Sequence, residues 1–101
     1  MFDKLSQAQQ QIEEIKRRLD AIQVTGEACG GMIKLTATAN IDFKDLSIHP
    51  DFLANASKEE IEEVLIVAIN KTLEQADKVS QAEMEAATKG MFGGLGGMFG
   101  A

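Results

Sequence analysis

The sequence has very little of the chemistry from which catalytic and metal sites are built. Its 101 residues include one histidine, His49, and one cysteine, Cys29. There is therefore neither a cluster of metal ligands nor a nucleophile paired with a histidine base. A single cysteine cannot form an internal disulfide, which fits a reducing compartment. We expect no enzymatic activity, no cofactor and no bound metal.

Long apolar runs are missing as well. The longest run of hydrophobic side chains uninterrupted by glycine or a polar residue spans residues 64–69, whereas crossing a bilayer takes about 20 residues. The sequence also lacks the basic, apolar and small-residue segments of a signal peptide at its start. Both absences predict a cytoplasmic protein that is not inserted in a membrane.

Positive charge is scarce. Ten lysine and arginine residues against sixteen acidic residues give a net charge of −6 at pH 7. A strongly acidic chain is on average poorly suited to bind polyanions. Any contact with nucleic acid must therefore come from local groups of basic side chains.

Residues 24–40 are the only stretch in which apolar residues recur with period two. The apolar residues at 33, 35, 37 and 39 fall on one face, as in a half-buried strand, and residues 24, 26 and 28 repeat the pattern. Between the two runs, Cys29-Gly30-Gly31 tolerates positive φ and predicts a hairpin turn. A third strand at residues 43–48 should end before Pro50, which has no N–H to extend a ladder.

A heptad pattern precedes the strands. Its apolar residues are spaced three and four apart, which predicts a first helix with a narrow seam suited to one partner helix. The seam consists of Leu5, Ala8, Ile12, Ile15, Leu19 and Ile22.

A second long helix should follow the strands. Ser57 and Glu60 fit a capping box at its start. The apolar run at residues 64–69 should be buried on all sides, against the sheet and a second subunit. The helix can continue to about Lys89, and the glycine-rich residues 90–101 should then form a flexible tail.

These elements predict one α+β domain, residues 1–89, with the order α-β-β-β-α and a three-stranded antiparallel sheet. Because the first helix ends at the hairpin and the second begins after the last strand, the two helices should form an antiparallel arm. A monomer of this size would leave large apolar faces uncovered, so we expect a homodimer. The predicted dimer interface comprises Val64, Ile66, Val67 and Ile69.

The basic residues form two groups, one on each long helix. Residues 16–18 are the only basic triplet, and the lysines of the second helix share one side because they are spaced by seven and eleven. Both groups could be solvated helix faces with local ion pairs, or they could contact phosphates. The candidate DNA-binding residues are Lys4, Lys16, Arg17, Arg18, Lys71, Lys78 and Lys89.

Four segments follow one another in a distinctive order. A glutamine-rich first helix is followed by VTGEACGGMIKLT at residues 24–36, LSIHP at residues 46–50 and AIN at residues 68–70. This arrangement resembles the YbaB/EbfC family of bacterial nucleoid-associated proteins over about residues 1–90. The resemblance implies a small α+β protein that forms a tweezer-like homodimer and binds DNA through its protruding helices, without enzymatic activity.

The sequence is compatible with two functions. The first is a homodimer in the cytoplasm and nucleoid that binds double-stranded DNA with little sequence preference and helps to organise the nucleoid or modulate gene expression. The alternative is a dimeric interaction module that binds an unknown partner protein through its apolar arms and its Met-Phe-Gly tail. In that case the acidity would keep the protein off nucleic acid.

Overall fold

The computed structural model describes the backbone of residues 2–98 and the side chains of residues 6–89. The fold is α+β, as predicted, and adds one short helix to the expected elements. In chain order these are α1 (Phe2–Ala21), β1 (Gln23–Ala28), β2 (Ile33–Thr38), β3 (Phe43–Ile48), α2 (Pro50–Asn55) and α3 (Lys58–Met98).

The three strands form an antiparallel sheet in the order β1-β2-β3. In the first hairpin Ala28 pairs with Ile33, and the turn residues Cys29, Gly30 and Gly31 have φ values of 56°, 66° and 87°. Glycine enters this left-handed region without a steric penalty. The hairpin predicted from the Gly-Gly pair is therefore confirmed.

The core lies between the sheet and α3. Alternate residues of β1 and β2 are buried on one face of the sheet, and α3 crosses that face with Ala68, Thr72 and Ala76 buried. Small side chains at these helix positions let the helix backbone come close to the strands. The face assigned from the period-two pattern is thus the one that packs against a helix.

The helices α1 and α3 pack side by side in opposite directions, which confirms the predicted arm. Leu19 of α1 packs near Ala76 of α3 at the base of the arm, and Ile12 faces Met84 further out. The base of α1 is also tied to the turn after β2. There the Asn40 amide nitrogen donates to the backbone oxygen of Lys16 over 2.8 Å and to Asp20 Oδ1 over 2.6 Å.

The short helix α2 was not predicted from the sequence. Its first residue is Pro50, which suits the first helical position because its fixed φ is already helical and its missing N–H has no partner there. His49 precedes it as the N-cap, and its Nδ1 accepts a hydrogen bond from the Asp51 N–H over 3.1 Å. His49 therefore has a structural role at the boundary between β3 and α2.

The start of α3 follows the prediction, whereas its end does not. The Ser57 hydroxyl accepts from the Glu60 N–H and donates to the Glu60 carboxylate, each over 3.2 Å. The helix then continues to Met98, so the expectation that it ends near Lys89 is wrong. Each glycine costs a helix about 1 kcal/mol relative to alanine, but the glycines after residue 89 do not end this one. The prediction of a flexible tail at residues 90–101 falls on a segment whose side chains lie outside the described residues.

No helix in the described part of the chain is both long and apolar enough to cross a membrane.

Candidate nucleic-acid interface and apolar surface

The basic triplet of α1 lies at the base of the arm, close to the sheet. Arg17 lies on the side of α1 opposite Ile15 and Leu19, which pack inward. Lys16 and Arg18 flank it, about 100° to either side, and all three are exposed. Arg18 Nη1 is 3.7 Å from Glu83 Oε2 of α3, so its charge is partly taken up within the arm. The triplet therefore wraps the outer surface of α1.

The lysines of α3 lie along one line of the helix, as predicted from their spacing. Lys71 borders a shallow polar groove at the outer edge of β1, together with Thr25 and Glu27. Lys78 and Lys89 continue this line toward the end of the arm and are exposed. The line runs along a different flank of α3 from the one that packs against α1. A single chain therefore does not bring the α3 lysines together with the α1 triplet.

The two helices of the arm differ strongly in charge. Residues 6–21 of α1 carry three basic and three acidic side chains, whereas residues 58–89 of α3 carry four lysines and eight acidic residues. The repulsion of a polyanion is therefore weaker at α1 than at α3. Of the candidate residues, Lys4 also belongs to α1, but its side chain lies outside the described residues.

The other lysines of the sheet region are less suited to phosphate. Lys34 lies on the open face of the sheet, where it pairs across the strands with Glu27. Lys44 Nζ is 2.7 Å from Asp42 Oδ2, and the hydrogen bond and attraction to this carboxylate raise the pKa of Lys44. The charge of Lys44 is therefore balanced locally, and Lys34 has an acidic neighbour on the same face of the sheet.

A continuous part of the core-side face of the sheet is not covered by α3. Leu46 of β3 pairs with Leu35, and Phe43 pairs with Ala37, so both point to the face that carries the core. They are nevertheless 46% and 43% exposed. The helix covers β1 and β2, and Ile48 at the end of β3 packs against the core, but Phe43 and Leu46 are left open and form an apolar patch.

The predicted dimer residues on α3 divide into two pairs. Val64 and Ile69 pack against the core cluster around Ile33 and Leu35 within the chain itself, whereas Ile66 and Val67 are 58% and 45% exposed. The chain therefore covers only one side of this run. Ile66 lies about 140° round the helix from Lys71, which is at the β1 edge, so Ile66 is on the flank nearer β3.

Sequence reasoning missed Phe43 and Leu46 as surface residues because a β-bulge sets their direction. The register shifts between Thr36 and Ala37, and Lys44 is the additional residue on β3. The bulge brings Phe43 to the same face as Leu46, although they are three positions apart. Apolar side chains in a strand that follows two half-buried strands are a signal, but the bulge itself leaves no clear trace in the sequence.

One residue of the same region is strained. Ile41, in the turn between β2 and β3, has φ 65° and is exposed. A β-branched side chain rarely adopts this conformation.

Among the described residues, no group of three or more His, Cys, Asp or Glu side chains converges to hold a metal ion.

Sequence and structure comparisons place the chain among known proteins. A profile of the YbaB/EbfC DNA-binding family matches residues 1–91. The chain is 37% identical over 89 residues to a protein of Flavobacterium johnsoniae named nucleoid-associated protein, covering 88% of this chain and 82% of the relative. It is 38% identical over 90 residues to a nucleoid-associated protein of Bordetella avium, covering 86% and 82%.

A solved structure supports the fold. The uncharacterized protein HP0035 of Helicobacter pylori superposes with a TM-score of 0.62 at 19% sequence identity, over 83% of this chain and 94% of that chain.

Proposed function

Because this chain belongs to the YbaB/EbfC DNA-binding family, we propose that it is a nucleoid-associated homodimer that binds double-stranded DNA along its helical arms. The single observation that supports this best is the basic triplet on α1. The triplet is solvent-exposed, it lies on the less acidic helix, and Asn40 holds its end of α1 against the sheet.

Binding is directed to phosphates and has little sequence preference. Lys16 and Arg17 sit on separate flanks of one helix, and the α3 lysines lie one or more helical turns apart, so no compact set of side chains can read the edges of one base pair. Phosphate contacts carry no sequence information, and they release counterions. We expect the protein to act without catalysis, in the cytoplasm and nucleoid, in organising the nucleoid or modulating gene expression.

Dimerisation is part of the proposal because one chain leaves its basic groups apart and its apolar patch uncovered. The patch formed by Phe43, Leu46 and Ile66 is suited to a second copy, since a closed pair of chains buries the same patch twice. Ile41 adds an exposed, strained apolar side chain at the edge of β3. Residues with strained backbone conformations cluster at functional sites, which is consistent with a role for Ile41 in the contact between the two copies.

The function is tested by gel shifts of several unrelated duplexes over a range of salt concentrations. The logarithm of the affinity should fall linearly with the logarithm of the salt concentration, by about 0.9 for each phosphate neutralised. All duplexes should behave alike. The proposal fails if no duplex is shifted at about 50 mM salt, a concentration at which phosphate contacts are strong.

A further inference from the structure

The distal half of the arm contains an apolar groove that the chain does not fill. It lies between α1 and α3, has a volume of about 230 Å3, and is lined mainly by Ala8, Ile12, Ile15, Met84 and Ala87. Ile12 and Met84 on its two sides are 54% and 56% exposed. At the base of the arm, by contrast, Leu19 is buried against α3. The apolar seam of α1 is therefore covered by α3 only in the half that lies near the base of the arm.

We propose that this groove is the contact through which the arms of two separate dimers associate, so that two helical hairpins form a four-helix bundle. Ala8 and Ile12 continue the same heptad seam that α3 already covers near Leu19. A heptad seam packs by inserting large side chains between smaller ones on a facing helix. The alternation of Ala8 with Ile12, and of Ala87 with Met84, gives each arm both features.

The charges around the groove favour a second copy over other occupants. Residues 5–12 of α1 contain no charged side chain, Glu83 is paired with Arg18, and Glu85 is followed one turn later by Lys89. The described part of the rim is thus close to neutral on a chain whose net charge is −6. Two copies can meet here without the like-charge repulsion that opposes contact elsewhere. Gln11 at the rim can both donate and accept hydrogen bonds, so an identical surface can satisfy it.

Other occupants fit the groove less well. Among the side chains that the structure describes, none that lines the groove is basic, so a duplex would find no partner for its phosphates in this part of it. A basic amphipathic helix would require acidic rims on both sides. The volume is also below the roughly 300–1,000 Å3 of small-molecule sites. Inserted side chains of a facing helix are therefore the best match.

Sedimentation of the full chain over about 1–100 µM tests the contact, since this range brackets a micromolar dissociation constant. The wild type should pass from two to four chains as the concentration rises. Ile12→Glu should weaken the second step about tenfold or more, because the charge would be buried in the contact. Gln10→Glu, which adds the same charge on the outer side of α1, should leave both steps unchanged.

Cross-linking gives an independent readout. In a Cys29→Ser background, Ala8→Cys or Ile12→Cys should form disulfide-linked pairs of chains, because contacts near a two-fold axis bring equivalent residues within disulfide range. Gln10→Cys should not. The proposal is overturned if the wild type never exceeds two chains, if the two glutamate variants sediment alike, or if all three cysteine variants cross-link equally.

The association of the arms can be separated from the proposed DNA-binding function. Gel shifts at protein concentrations well below the second step should be the same for Ile12→Glu and wild type. A loss of DNA binding in Ile12→Glu without any change in sedimentation would instead place the duplex in the groove and overturn the proposal. Leu46→Asp should disrupt the sheet-side dimer, the one formed through the patch of Phe43, Leu46 and Ile66. This variant should still form pairs of chains through the groove, and adding Ile12→Glu should abolish those pairs.

Discussion

Gly26 of β1 lies directly beneath Thr72 of α3, and the two backbones are so close that no side chain fits between them. A Cβ atom at position 26 would lie 2.6 Å from the Thr72 backbone nitrogen and would also clash with Thr72 Oγ1 and the Ala68 carbonyl oxygen. Thr72 is buried, and its hydroxyl donates to Ala68 O over 2.8 Å. This close approach fixes how α3 crosses the sheet, and hence how the arm leaves it.

Gly26→Ala should therefore destabilise the protein by about 3 kcal/mol or more, the upper range for inserting a methyl group into a packed core. Urea unfolding followed by circular dichroism measures the loss. Adding Thr72→Ala should not restore stability, because two of the three clashing atoms belong to the backbone.

Gly30→Ala is the matched control for this variant. Gly30 also has no side chain and has φ +66°, but nothing lies within 4 Å of an added Cβ atom. Its substitution should cost only the strain of the left-handed conformation, about 1–2 kcal/mol. If Gly26→Ala lowered the free energy of unfolding no more than Gly30→Ala, the close approach of α3 would not be the reason that position 26 requires glycine.

The elements that could be predicted from the sequence are those with a strong local pattern. Each of these patterns depends only on residues close together in the sequence. They are the heptads of α1, the alternation in residues 24–40 and the Gly-Gly turn. The helix α2 escaped prediction because six residues are too few to show a period, and because Pro50 suggested only the end of a strand. The glycines after residue 89 suggested an end for α3 that the structure does not have.

The surfaces were less predictable than the elements. Residues 64–69 are apolar on all sides, so their sequence alone could not separate Ile69, which packs inside the chain, from Ile66, which does not. The apolar patch on β3 depends on a bulge and on how far α3 extends across the sheet. Likewise, helical spacing predicted the line of lysines on α3. Only the packing of α1 against a different flank of α3 showed that these lysines and the basic triplet of α1 lie apart.

The apolar patch on β3 predicts a specific effect on assembly. Leu46→Asp should convert the sheet-side dimer to monomer while the chain remains folded, because Leu46 is already partly exposed within one chain and its burial requires a partner. Sedimentation and circular dichroism report the two properties. Ser47→Asp adds the same charge to the next residue, on the opposite face of the strand, and should leave the dimer intact.

Aspartate substitutions in α3 should separate folding from assembly. Ile69→Asp buries an unpaired carboxylate against the sheet and should destabilise the fold by about 3 kcal/mol or more. Ile66→Asp should leave each chain folded but weaken the dimer. A wild-type protein that sediments as a monomer at micromolar concentration would contradict the expected effects of both Leu46→Asp and Ile66→Asp on assembly.

Removal of residues 90–101 should change thermal stability little. The segment contains many glycines, whose ordering costs more conformational entropy than that of other residues. We expect the melting temperature to fall by less than about 5 °C, which corresponds to roughly 1 kcal/mol for a domain of this size. Thermal denaturation of the chain ending at Lys89 provides the measurement, and a larger fall would show that the segment packs against the domain.

Charge reversal on the arm should weaken DNA binding to the same extent for unrelated sequences, because these side chains are expected to bind phosphates rather than bases. The first variant combines Arg17→Glu with Arg18→Glu, and the second combines Lys78→Glu with Lys89→Glu. All four side chains are exposed, so both variants should stay folded and dimeric, and the loss of the Arg18–Glu83 ion pair should lower stability by only about 1 kcal/mol or less. Each should lower the affinity and also reduce the slope of log affinity against log salt, by about 0.9 for each phosphate that the protein no longer neutralises.

The comparison between the two variants locates the duplex. If the duplex lies near the sheet, the loss of affinity should be larger for the α1 pair, and if the ends of the arms hold it, the loss should be larger for the α3 pair. Lys44→Gln serves as the control, because Asp42 already balances the Lys44 charge over 2.7 Å, and this substitution should leave affinity and salt slope nearly unchanged. Should both double variants bind duplexes as tightly as the wild type, with the same salt slope, these basic residues do not contact DNA, and the arm is not the nucleic-acid interface.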